Sequence, residues 1–128
     1  MKLVLVLLMC TFCSCLFTND DITNDIVSES INSTDNKKLI VFINYGNATV
    51  ENSLHISILN RNEELQNGSI GNIFIANNNK NELTVGVNDV EAKWKSKDTI
   101  EIIYQKDLQI FKTEKTLENI VINYTQKE

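Results

Sequence analysis

From Leu39 onward the chain runs in short apolar segments broken by Asn and Gly, with β-branched and aromatic residues enriched, a spacing that fits strands and not helices. Leu39 to Tyr45 and Asn72 to Ala76 are continuous apolar runs, which predicts central strands covered on both faces. Leu54, Ile56 and Ile58 alternate with His55 and Ser57, and Leu83, Val85 and Val87 repeat the alternation, which predicts half-buried strands. Val90, Ala92 and Trp94 share one face, Ser96-Lys97-Asp98 turns the chain, and Ile100, Ile102 and Tyr104 share the returning face, so Val90 to Tyr104 reads as a β-hairpin. Leu108 to Lys112 and Ile120 to Tyr124 are two further strands, joined by a charged stretch in which Thr116 to Asn119 is compatible with a helical turn. About seven short strands without a long helical pattern predict an all-β domain, a small antiparallel meander or sandwich, over 39–128.

The N-terminal pattern is different. Lys2 precedes the apolar run Leu3 to Met9, small and polarizable residues follow, and Asn19-Asp20-Asp21 begins a polar stretch, the order of a secretory signal. Leu3 to Phe17 is about 15 residues long, short of the ~20 that span a bilayer as a helix. Phe12-Cys13-Ser14-Cys15 resembles a bacterial lipobox, although leucine is usual where Phe12 stands and Cys13 is uncommon at its position. The expected organisation is a signal peptide over 1–14 and a lipidated Cys15 at the head of a flexible polar tether over 15–38. The β-rich domain follows. Two or more acyl chains would hold the protein on a membrane, each buried methylene contributing about 0.8 kcal/mol. The alternative is cleavage without lipidation and release as a secreted protein. The tether is expected to be disordered because Leu16 to Lys38 is rich in Asn, Asp, Ser and Thr, with only scattered apolar residues to offset the entropy of ordering.

Composition narrows the partners. The formal charge is −5, and Lys and Arg do not cluster, so nucleic acid is not an expected partner. All three cysteines lie in the first fifteen residues, so the predicted domain has neither a disulfide framework nor thiol ligands. A unit of roughly 90 residues has one modest core and no spare volume for a large internal cavity, which leaves shallow sites only.

No cofactor motif is present. Gly68-x-x-Gly71 lacks the Lys-Ser/Thr of a phosphate loop and leads into a strand, so both glycines are expected to serve turns with positive φ. His55, the single histidine, is expected on a solvated strand face, without the supporting motif of a catalytic triad. Glu63-Glu64, and Asn88-Asp89 with Asp98, are the acidic clusters that a calcium or glycosidase site would need, but turns attract Asp and Asn for their own hydrogen bonds, and no metal site is expected. Trp94 and Tyr104 are the candidates for ligand contact, as an aromatic platform for sugar or peptidoglycan, although their alternation with Val90, Ala92, Ile100 and Ile102 places them in step with the core. Asn32, Asn47, Asn67 and Asn123 head sequons of the N-glycosylation type, as several Asn are bound to do in so Asn-rich a chain.

The pieces Gly46-Asn47-Ala48-Thr49, Ser57-Ile58-Leu59, Glu63-Glu64-Leu65, Gly71-Asn72-Ile73-Phe74-Ile75-Ala76 and Trp94 with Ile100-x-Ile102-x-Tyr104 have an order and spacing that resembles a family of small bacterial envelope and lipoprotein-like proteins without assigned function. Val50 departs from that pattern, where a further Thr is common. The resemblance implies an exported β-rich domain and adds no chemistry. The function expected is that of a cell-envelope protein, anchored by lipid, whose β-domain is a non-catalytic binding or structural module for a protein or cell-wall partner. The alternative is a small secreted sugar-binding protein or hydrolase.

Overall fold

The computed structural model describes residues 23–46, 52–78 and 87–128. The chain is all-β: β1 (Thr23–Ile31), β2 (Lys37–Tyr45), β3 (Ser53–Asn60), β4 (Phe74–Asn78), β5 (Val90–Ser96), β6 (Thr99–Gln105), β7 (Leu108–Thr113), β8 (Thr116–Leu117) and β9 (Ile120–Lys127). They form an antiparallel sheet in the order β1-β2-β3-β4-β7 and a mixed sheet in the order β5-β6-β9-β8. Period-2 alternation turns one row of side chains from each sheet inward. Leu39 and Val41 of β2, Leu54, Ile56 and Ile58 of β3, and Phe74 and Ala76 of β4 meet Val90, Ile100, Ile102, Ile120 and Ile122 from the second sheet. Each such Val, Leu, Ile or Phe side chain contributes on the order of 1.5–3 kcal/mol by leaving water.

The hairpin from Val90 to Tyr104 forms as its pattern predicts, with Val90 opposite Tyr104, Ala92 opposite Ile102 and Trp94 opposite Ile100. Four other elements differ from expectation. Thr23–Ile31 and Lys37–Lys38 belong to the sheet and not to a tether, because β1 supplies the backbone ladder that β2 lacks on that side. Thr116–Leu117 is the strand β8 and not a helical turn. It closes on β9 through a two-residue reversal with Glu118 at φ 53. The β6–β9 pair is parallel, because the chain leaves the second sheet after β6, pairs β7 with β4, and re-enters running the same way. The leader, Cys15 and the alternating segment at 83–86 lie outside the described residues.

β3 is buried on both faces, not half-buried, since His55 and Ser57 on its outer side are as covered as Leu54 and Ile56 on its inner side. The cover is the segment from Arg61 to Ile73, which returns along β3. The Ile73 amide bonds the Ile56 carbonyl at 3.2 Å. One residue earlier, the Asn72 side chain continues the ladder: its Oδ1 accepts from the Ile58 amide at 2.9 Å and its Nδ2 donates to the Ile58 carbonyl at 2.8 Å. Asn24 of β1 and Asn44 of β2 donate to the Ser69 carbonyl from the other side.

Of the two glycines in this segment, Gly68 has φ 78 as a turn requires, whereas Gly71 is needed for close approach. A Cβ there would lie 2.6 Å from the Phe74 carbonyl oxygen and 3.0 Å from the Ile56 backbone. Gly71→Ala is therefore expected to lower stability by about 1–3 kcal/mol, the cost of overpacking. Gly68→Ala, with open space around it, should cost only the left-handed backbone strain of about 1 kcal/mol. Urea titration of both variants checks the order, and equal losses would contradict it.

Candidate functional site

His55 anchors the covering segment to β3. The Gly71 amide donates to His55 Nδ1 at 2.9 Å, so Nδ1 carries no proton and the neutral ring holds its hydrogen on Nε2, facing Ser53 Oγ at 2.7 Å. The ring stacks on Phe42 at 5.2 Å, and the Lys112 ammonium, bound to the Gly71 carbonyl at 3.3 Å, stands on the same side. Burial first, and the Lys112 charge second, lower the imidazole pKa from 6.5 to about 4. This corrects the expectation of a solvated surface histidine: the residue is 5% exposed. Ser53 and His55 do not form a nucleophile and its base, because the nitrogen facing the hydroxyl already holds a proton and no carboxylate orients the other one.

The acidic clusters do not converge. Glu63 accepts from the Asn60 amide, and Asp98 accepts from the Ser96 and Thr99 hydroxyls, the Ser96 bond first among the causes that lower its pKa. Among the described residues no three His, Cys, Asp or Glu side chains stand where a metal ion could be shared. No helix there is long and apolar enough to cross a membrane, which says nothing of strands.

The two aromatic candidates sit at opposite ends of the β5–β6 hairpin, Trp94 beside its turn and Tyr104 beside its open end, so they make no common platform. Tyr104 packs on Phe74 at 5.7 Å between ring centroids. Its hydroxyl accepts from Gln126 Nε2 at 3.2 Å. Trp94 leans across the sandwich and its Nε1 donates to the Ser30 carbonyl of β1 at 3.1 Å, tying the two sheets together. Asn32 adds a second tie nearby: its Nδ2 donates to the Lys97 carbonyl at 2.7 Å while its Oδ1 accepts from the Thr34 amide and hydroxyl.

Between these ties the surface holds a groove of about 380 Å³, lined by Ile31, Thr34, Trp94, Ser96 and Lys97 among others. It is shallow, as a domain of this size predicts. Lys93 and Lys95 at its rim share Glu101 at 3.4 Å and 3.6 Å, and Lys93 also lies 3.8 Å from Glu91, while the lining itself holds three lysines and no carboxylate. With Trp94 Nε1 and the Asn32 carboxamide engaged in the two ties, the groove is otherwise lined by the indole ring, by Ser30, Ser33, Thr34 and Ser96, and by the three lysines, groups that suit a polar ligand. Sequence reasoning singled out Trp94 but missed Ser30, Asn32 and Thr34, which the expected tether concealed.

The buried histidine makes stability depend on pH in a defined direction. In the unfolded chain His55 binds its proton near 6.5 and in the folded chain near 4, so between those values the unfolded state holds more protons and stability falls as pH falls. His55→Asn keeps an acceptor for Gly71 and cannot titrate. Its stability deficit against the parent, measured by denaturant midpoint, is expected to shrink from pH 6.5 to pH 4. A deficit that stays constant across that window would mean that His55 is not buried neutral.

Comparison of the chain with models of protein families, with curated proteins and with solved structures finds no match, so the fold and site described above stand on their own residues.

Proposed function

We propose that this protein is exported to the cell envelope, anchored there by lipid on Cys15, and that its sandwich is a non-catalytic binding or structural module for a protein or cell-wall partner. The observation that carries this reading is the order of Lys2, the apolar run and Phe12-Cys13-Ser14-Cys15 ahead of a folded sheet. The position of β1 sharpens it. Thr23 opens the sheet eight residues after Cys15, and eight extended residues reach at most about 28 Å, so the module works close to the anchoring surface and not at the end of a long tether. The formal charge of −5 speaks against nucleic acid, and no cofactor is invoked.

A second reading, a small sugar-binding protein, is favoured by one observation: Trp94, the chain's single tryptophan, lines the groove beside hydroxyl and amide groups. Titration with soluble muropeptides, followed by Trp94 fluorescence, should change the emission under this reading and leave it unmoved otherwise.

The anchoring claim is tested by intact mass spectrometry of the chain expressed in a bacterial host, beside Cys15→Ala. A mature species beginning at Cys15 with added acyl mass, absent from the variant, is expected. Cleavage without added mass would replace the anchored protein by a secreted one.

A further inference from the structure

Open sheet edges attract other strands, and here almost every edge carries a device against it. β1 has a bulge between Ile26 and Ser28 and carries Asp25 and Glu29. β5 has a bulge between Trp94 and Ser96 and carries Lys93 and Lys95. β7 carries an extra residue, Phe111, opposite the Ile75–Ala76 step. β8 is two residues long. That shortness leaves one stretch of edge unguarded among the described residues: β9 from Asn123 to Lys127, whose ladder with β6 runs without a shift from Val121 to Lys127.

The direction of its backbone groups follows from two bonds. The Val121 amide donates to Asp98, on the β6 side, and the Ile122 amide donates to Lys115, on the β8 side. Alternation then turns the amides and carbonyls of Tyr124 and Gln126 toward the open edge. The side chains along this edge are Asn123, Tyr124, Thr125 and Gln126, with Lys127 as the sole charge in β9.

We propose that this edge pairs, antiparallel, with the same edge of a second copy of the chain, about a two-fold axis at Thr125. Tyr124 then exchanges both backbone bonds with the second copy's Gln126, and Gln126 does the same with its Tyr124, four bonds in all. Thr125 meets Thr125, a favourable cross-strand pair. Lys127 comes opposite Asn123, so no like charges meet across the pair. The second copy's Glu128 falls opposite Ile122, where Lys115 already pairs, so the new ladder ends at the Lys127–Asn123 pair. Self-pairing at β1 would instead bring Asp25 and Glu29 toward their own copies, and self-pairing at β5 would do so for Lys93 and Lys95. The result is one continuous sheet across two molecules, with the β5–β6 hairpins at its far ends. Four backbone bonds bury less area than a stable dimer needs, so the association is weak in free solution and is best read by trapping.

Thr125 and its counterpart form a non-hydrogen-bonded pair, with Cα atoms about 4.5 Å apart, within disulfide range. The test is Thr125→Cys against Asn123→Cys in the purified full chain, with Cys10, Cys13 and Cys15 replaced by Ser in both, oxidised with a mild thiol oxidant and run on non-reducing gels. Thr125→Cys should cross-link at least tenfold faster than Asn123→Cys. Adding Gln126→Pro, which removes an edge amide and leaves the backbone ladder with β6 intact, losing besides only the exposed Gln126–Tyr104 side-chain bond, should abolish the cross-link while the circular dichroism stays that of the parent. Equal rates at the two positions, no cross-link at Thr125→Cys, or a cross-link that survives Gln126→Pro, would each overturn the proposal.

Discussion

The structure depends on the burial of β3 from both sides. Its inner row is apolar and needs only the second sheet. Its outer row holds His55 and Ser57, polar groups whose burial is unfavourable unless every donor and acceptor finds a partner. The segment from Arg61 to Ile73 supplies those partners. Gly71 donates to His55, the Asn72 amide donates to Ser57 Oγ at 3.1 Å, and the Asn72 carboxamide stands in for a strand beside Ile58. The absence of a side chain at Gly71 is what permits this contact, since a single methyl group would strike the Phe74 carbonyl.

The two sheets are then fixed to one another at both margins by single side chains and not by continuous strands. On one side Trp94 reaches Ser30 and Asn32 reaches Lys97. On the other, the Tyr124 hydroxyl lies 2.6 Å from the Glu114 carbonyl and 3.1 Å from that of Ile73, and burial raises its pKa. These ties explain why the aromatic residues are half-buried. Each ring covers the core while its polar edge satisfies a backbone carbonyl of the opposite layer. The same geometry leaves the outer face of the second sheet polar, with Glu91, Lys93 and Glu101 in one ion-paired cluster. It also gathers the accessible hollow at the Trp94 margin.

Much of this was legible in the alternation of residues. Inward rows such as Val90-Ala92-Trp94 and Ile100-Ile102-Tyr104 follow directly from period 2, because one face of each strand had to be apolar. What lay on the opposite face was not legible. The alternation of His55 and Ser57 looks solvated in sequence, and only a glycine sixteen positions later makes them buried. β1 escaped notice because its bulge at Val27 breaks the alternation and an edge strand needs little apolar surface, so its composition matched that of a tether. The parallel pairing of β6 with β9 is a long-range choice that no local pattern encodes. Of the site, Trp94 could be singled out as the one indole in the chain, but its partners came from the stretch read as disordered.

The covering of β3 requires that His55 be neutral, protonated on Nε2, and held by the Gly71 amide. Nitrogen-15 NMR of the imidazole ring measures both the tautomer and its titration in one experiment. A proton on Nε2, an unprotonated Nδ1, and no titration until about pH 4 are expected. A proton on Nδ1, or a midpoint at the ordinary value near 6.5, would mean that Gly71 does not bond the ring and that β3 is not covered as described.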